Sequence, residues 1–432
     1  MIRGAERPAI GRRSGGRVSG PPRGYNAAEC AVAMLVALSV VGYPLAGSIG
    51  TLLGVSSLTA SVPFRILVDL ISAFLVGIIF VRRQGTRPNG PLVVLLVAYL
   101  ARLVWDLQRP EFLSVSTDLL FYLATTLIPA AVAGIAAGYW RDVLVARAVF
   151  FIALAGGSLI LIMKRVGFFA LTQMLEATGR LSIEAVNPIT IGHLGLSLVF
   201  AGVVLWFRGN PKLRPLLAAG VVLGGWLMIE ANSRSPFLSL ACASAAYLVA
   251  TRRWRMFAGV VALGVGVFLG GGLLDRLQGS RLVNIEDRSS LTRVVFQRNA
   301  FGDFLEHPIL GAGYLDSVTL AYPHNILIES AMALGLGGLV LVVFVLIFAG
   351  LRSIGAFRAG DIMLGLLFWQ YAILAQVSGT LAGAGPLLIL MMIMAGKYVR
   401  PLTALKATPL RSRQAVRRKP IAPRQFRPRR VP

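Results

Sequence analysis

Residues 324–350 read HNILIESAMALGLGGLVLVVFVLIFAG, and this stretch decides the fold. After His324 and Asn325, the one ionisable side chain in this stretch is Glu329. A run of this length can cross ~30 Å of hydrocarbon. Similar runs recur along the chain, which is 56% hydrophobic and 14% charged. A soluble chain is about 45–50% apolar and about 25% charged. The sequence therefore predicts an all-α, polytopic integral membrane protein.

Twelve apolar runs are predicted to span the membrane. They lie near residues 28–47, 62–81, 90–105, 117–138, 142–163, 189–207, 213–230, 235–250, 256–274, 324–350, 360–378 and 380–396. A transmembrane domain would thus occupy residues 28–396, between basic and disordered tails at 1–27 and 397–432. The longest polar segment, 275–323, is predicted to lie on the outer face. Within it, 289–306 has the spacing of an amphipathic helix that ends before Pro308.

The net charge of +25 is concentrated in both tails and in alternate loops. This asymmetry indicates cytoplasmic tails and places His324 at the outer face, because cytoplasmic loops carry the excess of Lys and Arg. Basic tails on a membrane protein are expected to contact anionic lipids, and nucleic acid is not an expected partner.

Phosphate chemistry on the outer face would depend on arginine. The sequence has no phosphate-binding loop, no paired-cysteine metal site and no Asp-x-Asp pair, so no metal or cofactor is expected. The arginine fork binds phosphate oxygens two at a time. Arg234, Arg293 and Arg298 are the outer candidates. Arg234 has an alternative partner in Glu230, and Arg293 and Arg298 point in different directions on a helix.

His324 follows Pro323 and is predicted to lie in the first turn of the span. There the helix dipole and nearby arginines would favour a neutral imidazole, which can accept a proton from a hydroxyl. The alternative is that His324 and Asn325 only cap the helix. Glu329 does not share a helical face with His324, so a direct pair between them is not expected.

Other polar residues in the spans have a structural interpretation. Arg65 and Asp69 are four residues apart, as are Arg102 and Asp106, and each pair is expected to be mutually neutralised. His193 is expected to be structural, and His307 is expected to end the surface helix. The same charged pairs would suit the main rival, a transporter or flippase for lipid-linked sugars.

An ordered set of motifs resembles the O-antigen ligase and polymerase family of bacterial membrane glycosyltransferases. Ser-Arg-Ser at 233–235 opens a span, and TRVVFQRNA follows at 292–300. EHPILGAGY at 306–314 precedes HNILIE at 324–329 and a glycine-rich helix. The resemblance covers about residues 230–345.

This resemblance implies a fold like that of the membrane-embedded C type of glycosyltransferase, in the bacterial cytoplasmic membrane. Family members transfer a glycan from a polyprenyl (undecaprenyl) diphosphate carrier to a hydroxyl on a glycan or lipid-linked acceptor at the outer face. The chemistry is metal-independent and inverting, with no cofactor. Ligase and polymerase activities stay open, with a slight preference for a polymerase.

The resemblance also assigns roles to particular residues. Arg234 and Arg293 match the arginines that hold the diphosphate, and His324 matches the essential loop histidine. Further contacts to substrate are expected from Asn325, Arg288, Arg298 and Tyr314.

Overall fold

A computed structural model describes residues 25–82, 90–108, 125–168, 181, 183, 186–255 and 288–398. Within these ranges the chain is helical, apart from loops and an isolated bridge between Ile183 and Val186. Numbered in chain order, the helices are α1 (Ala27–Ala37), α2 (Tyr43–Leu52), α3 (Ser57–Arg82), α4 (Gly90–Asp106), α5 (Thr125–Ile135), α6 (Asp142–Arg165), α7 (Pro188–Arg208), α8 (Arg214–Glu230), α9 (Arg234–Ala250), α10 (Arg288–Glu306), α11 (Ile326–Ala359), α12 (Ile362–Val377) and α13 (Gly385–Tyr398).

Among the residues that the structure describes, six stretches of helix are long and apolar enough to cross a membrane. They are Ala27–Leu52, Thr59–Arg82, Asp142–Arg165, Pro188–Arg208, Pro211–Glu230 and Ile326–Ala359. The predicted all-α, polytopic membrane protein is therefore confirmed. The remaining predicted spans in the described ranges also coincide with helices, although these are shorter. The predicted span at 256–274 lies outside the described residues, and the total of twelve stays a prediction.

Helix α7 lies at the centre of the bundle, because 72% of its most apolar window is buried, against 17% for α3. It packs closely on α8 through a pair of glycines. A Cβ added to Gly195 would lie 2.5 Å from the Gly224 carbonyl oxygen, and one added to Gly224 would lie 2.6 Å from the Gly195 oxygen. Small residues allow backbones of membrane helices to approach in this way.

Two of the ion pairs lie at the end of the bundle opposite His324. Arg208 Nη1 lies 3.4 Å from Asp142 Oδ2, and Lys397 Nζ lies 2.7 Å from Asp361 Oδ2. Arg358 Nε donates to the Ala250 carbonyl at the same end. This arrangement follows the pattern that predicts cytoplasmic basic loops. Which face is cytoplasmic stays a prediction.

The loop that follows α10 packs against a break in α11. Gly335 has φ 67° and ψ −159°, and a Cβ there would lie 2.3 Å from the Ile309 carbonyl oxygen. The Leu336 N–H donates to the Pro308 carbonyl, and the Ala312 N–H donates to the Met332 carbonyl, both at 2.8 Å. The turn at 307–313 is thus fixed against α11 about two to three turns from His324.

Candidate active site

Helix α10 contacts the bundle through a different face from the one that its apolar spacing suggests. Its bounds, Arg288–Glu306, match the predicted helix, and His307 follows its end. The large apolar side chains on which the prediction rested are all at least half exposed; they are Leu291, Val294, Val295, Phe301 and Leu305. The partly buried face instead carries Arg293 and Phe296. The prediction of a surface helix is confirmed, but the apolar stripe faces outward.

The loop that carries His324 is held by buried carboxylates. Asp316 is fully buried, and its carboxylate accepts hydrogen bonds from the backbone of Val318, Thr319 and Ala321. Asp303 on α10 accepts from the backbone and the hydroxyl of Ser317 at 2.8 and 2.6 Å. These bonds satisfy the backbone of a long loop locally and tie it to α10.

The His324 ring lies between two other aromatic rings. Its centroid is 4.4 Å from that of Tyr322, at an interplanar angle of 64°. Phe296 on α10 stacks on it at 6.2 Å and 26°. His324 has φ 55°, a left-handed conformation that is uncommon for a residue with a Cβ. Strained backbone of this kind is concentrated at functional sites.

The C-terminal end of α12 accepts hydrogen bonds from this loop and from α10. Arg293 Nη1 donates to the Val377 carbonyl at 3.0 Å, and Asn325 Nδ2 donates to the Gln376 carbonyl at 2.9 Å. His324 forms a hydrogen bond with the backbone of Ser378. The last carbonyls of a helix lack intrahelical partners and carry negative partial charge, so cationic and amide donors suit them. These bonds bring Arg293 to the same site as His324.

The hydrogen bonds of His324 define which nitrogen is available. Nδ1 is buried and has no hydrogen-bond partner, so the bond to Ser378 uses Nε2. Burial lowers the pKa of His324, and the neighbouring Arg293 charge lowers it further, whereas the Ser378 bond opposes both. The neutral form is therefore favoured, with Nδ1 as the proton acceptor. The expected neutral imidazole agrees with this, and so does the expected effect of a nearby arginine, but the main cause is burial and not the helix dipole.

His324 also lies outside the helix, not in its first turn as predicted. Asn325 is the N-cap of α11, and its side chain accepts from the backbone of Leu327 and Ile328. The span begins at Ile326, so His324 precedes the cap and does not lie in the first helical turn. The capping interpretation is thus correct for Asn325, and it leaves the imidazole free of that role.

Glu329 belongs to a buried structural group. It is 1% exposed, its Oε2 accepts from the Leu381 N–H at 2.8 Å, and its Oε1 accepts from the Tyr99 hydroxyl. Tyr314 lies in the same region, 1% exposed, in an apolar cluster with Tyr99. Its ring is enclosed by core residues, and the expected contact of Tyr314 with substrate stays a prediction.

Arg102 and Asp106 form the expected ion pair, and the same pair also holds the turn at 307–313 in place. Arg102 Nε lies 3.1 Å from Asp106, and its guanidinium donates to the carbonyls of Leu310, Gly311 and Ala312. In the other predicted pair, Arg65 interacts electrostatically with Asp69, and Arg65 Nη1 also donates to Thr125 Oγ1 at 3.1 Å.

The remaining candidate arginines lie in different surroundings. Arg234 is the first residue of α9 and is partly buried, while the Glu230 carboxylate forms an ion pair with Lys164 Nζ at 2.7 Å. Arg298 is exposed on α10. Arg288 begins α10, and its side chain lies outside the described residues. Of the two arginines whose orientations were predicted to differ, Arg293 is the one beside His324.

Sequence reasoning missed several neighbours of the candidate site. Tyr322 and Phe296 enclose the imidazole. Their positions in the sequence relative to His324 follow no recognisable pattern. The end of α12, at Gln376 and Val377, is some 50 residues away in sequence. The signal that could have been used for Tyr322 is its position in Tyr-Pro-His.

Two comparisons with known proteins found a match, and the first of them covers this same region. Residues 219–343 match the family described as O-Antigen ligase. The family resemblance inferred from the motifs is confirmed over this segment. The match includes Arg234, Arg293, His324 and the Gly335 break.

A relative from Pseudomonas aeruginosa, named O-antigen ligase, is 27% identical over 166 residues. The matched region is 36% of this chain and 39% of the relative. The chain thus spans well under half of the length of the curated relative that it matches.

Proposed function

We propose that the protein is an enzyme that transfers a glycan from a polyprenyl diphosphate carrier to a hydroxyl acceptor at the outer face of the cytoplasmic membrane. One observation carries the proposal: a neutral imidazole with an unpartnered Nδ1 lies beside the Arg293 guanidinium at the end of a bundle of membrane helices. The family match over the same residues supports it. A metal-independent, inverting reaction and a C-type fold with twelve spans belong to this proposal.

In the proposed reaction, His324 Nδ1 accepts the proton of the acceptor hydroxyl. The hydroxyl oxygen attacks the anomeric carbon from the face opposite the diphosphate, and a new glycosidic C–O bond forms. The bond from that carbon to the diphosphate oxygen breaks, and its electron pair stays with the oxygen. His324 then releases the proton to water or to the departing diphosphate.

Positive charge would stabilise the diphosphate as it leaves. Arg293 lies next to His324, held by the Val377 carbonyl, so little reorganisation is needed to place its guanidinium near the reacting atoms. Fixed charges aimed at developing negative charge are among the largest contributions to catalysis. Arg234, at the start of α9, is proposed as a second diphosphate contact. Asn325 positions the loop by capping α11.

The experiment that tests this function compares lipid-linked glycans in a host with and without the gene, sized by mass spectrometry. Loss of the gene is expected to make carrier-linked glycans accumulate. Single repeat units would identify a polymerase, and long chains on the carrier would identify a ligase. A carrier pool that is unchanged in amount and in chain length would contradict the proposal.

A further inference from the structure

The outward face of α10 is apolar along the helix. We call it the α10 stripe, and it consists of Leu291, Val294, Val295, Phe301 and Leu305, which recur at helical spacing and are not covered by any residue that the structure describes. The opposite face packs on protein, where Ala300 is fully buried and Asp303 nearly so. A helix between protein and water normally turns its apolar side inwards. Because α10 has the reverse arrangement, its outward face is suited to an apolar neighbour.

The α10 stripe continues onto the surface of α11. Ile309 and Leu310 follow α10 and are 80% and 78% exposed. They adjoin Leu336, because the Leu336 N–H donates to the Pro308 carbonyl at 2.8 Å. From Leu336 a row of exposed apolar side chains runs along α11: Val340, Phe344, Ile347 and Leu351. Since α11 is long and apolar enough to span a membrane, this row is expected to face acyl chains.

The length of α12 places part of α10 at membrane depth. Ile362–Val377 has 16 residues, so it rises ~24 Å, about 6 Å less than the thickness of the hydrocarbon layer. The helix starts beside the Asp361–Lys397 ion pair, which belongs at the headgroups of the opposite end. Its last carbonyls therefore stop inside the hydrocarbon boundary at the His324 end. Arg293 donates to the Val377 carbonyl, which holds the first half of α10 at the same depth.

The charges on α10 suit the edge of a membrane. Arg298 lies within the α10 stripe, between Val294 and Phe301 in helical position, and is exposed. Its apolar stem can lie along acyl chains while the guanidinium reaches water. The two acidic residues of α10 are Asp303, which is buried, and Glu306, which is the last residue of the helix. Basic residues beside an apolar face are typical of helices that lie in a membrane interface.

We propose that the α10 stripe, together with Ile309 and Leu310, contacts the acyl chains of the membrane leaflet at the His324 end. Opposite faces of one helix then have different partners: the α10 stripe contacts lipid, and the face with Arg293 contacts protein. Lipid contact would help to hold Arg293 at the membrane boundary. This inference goes beyond the proposed function and holds whether or not the protein transfers glycan.

The test uses nitroxide labels on single cysteines of the full-length protein in nanodiscs of phosphatidylethanolamine and phosphatidylglycerol. The native cysteines, Cys30 and Cys242, are first replaced by alanine. Electron paramagnetic resonance then measures how often each label collides with O₂, which concentrates among acyl chains, and with a nickel chelate, which stays in water. Thermal unfolding establishes that each labelled variant is folded.

Labels on the proposed surface are expected to collide mainly with O₂. Val294→Cys, Leu305→Cys and Ile309→Cys should show a ratio of O₂ to nickel collisions several-fold higher than Lys212→Cys, which lies in an exposed polar loop. Val340→Cys, on the exposed row of α11, is the reference for lipid contact.

Either of two other results would overturn the proposal. Frequent nickel collisions at Val294→Cys and Leu305→Cys, as at Lys212→Cys, would show that the α10 stripe faces water. Rare collisions with both reagents would show that protein covers it, either residues 256–287 of the same chain or a second copy.

Discussion

Two walls of the candidate site are built in different ways. The loop wall consists of Arg293, Phe296, Tyr322 and His324, and all four lie within the family match at 219–343. The cavity wall consists of Arg65, His193 and Tyr371, which line a cavity of about 250 Å³ in the bundle, and all three lie outside that match. The loop wall depends on close-range hydrogen bonds, such as those of Asp316, whereas the cavity wall is assembled from α3, α7 and α12.

The difference teaches which part of a site a sequence motif can reveal. Residues of the loop wall lie within about 30 positions of one another, so their order is visible as a pattern. Residues of the cavity wall are more than 100 positions apart, and only helix packing brings them together. We therefore expect the loop wall, which carries His324 and Arg293, to control the chemical step.

The largest effect is expected from His324→Ala in the loop wall. Removing the proton acceptor should lower the rate of glycan transfer by about 10²–10⁴-fold, the usual contribution of general base catalysis. The rate of transfer is measured in proteoliposomes at matched protein levels. His307→Ala removes an exposed histidine from the same loop and should retain normal activity. Full activity of His324→Ala would rule out the assigned role.

Arg293→Gln should have the next largest effect. Loss of one fixed group that stabilises developing charge costs about 10²–10³-fold in kcat, with a smaller change in KM. Steady-state kinetics with the lipid-linked donor separates the two parameters. The role assigned to the loop wall would fail if Arg293→Gln raised KM and left kcat unchanged.

A purely structural effect is expected at the Gly335 break. Gly335→Ala places a Cβ 2.3 Å from the Ile309 carbonyl oxygen at a φ of 67°. The strained backbone alone costs about 1–3 kcal/mol, so the variant should unfold at a lower temperature. Gly337→Ala is the matched control, because no neighbouring atom lies within 4 Å of its added Cβ. Equal unfolding temperatures for the two variants would show that the turn at 307–313 does not pack as described.

The smallest effect is expected from Arg298→Ala. Arg298 is exposed on the outer face of α10, five residues beyond Arg293. Exposed surface substitutions usually change stability by no more than about 0.5 kcal/mol, so transfer activity should stay within about twofold of normal. A large loss in the same transfer assay would mean that substrate also contacts the outward face of α10.

Much of the fold could be predicted because apolar length alone specifies membrane helices. The predicted span at 189–207 differs by one residue at each end from α7, and the predicted surface helix at 289–306 differs by one from α10. The orientation of α10 could not be predicted, because apolar side chains beside a membrane can face lipid as well as protein. Leu291 and Val294 accordingly face outward while Arg293 faces the bundle.

The site could be predicted only as far as local order specifies it. His324, Asn325 and Arg293 were recognised from their motifs, and the neutral imidazole from general electrostatics. The burial of Tyr314 could not be predicted, because a tyrosine beside a glycine turn has the same sequence pattern whether it is buried or exposed. His193 was expected to be structural, and its burial and its contact with Ser235 Oγ agree with that interpretation.

The most direct test of the central claim is the pH dependence of transfer by the wild type, Arg293→Gln and Arg293→Lys. The pKa of His324 is lowered, so activity should be retained at neutral pH and lost only as the pH falls through a value below about 6.5. Arg293→Gln should move this acid limb to higher pH, and Arg293→Lys should leave it nearly unchanged. An acid limb that does not move in Arg293→Gln, or that persists in the residual activity of His324→Ala, would contradict the account.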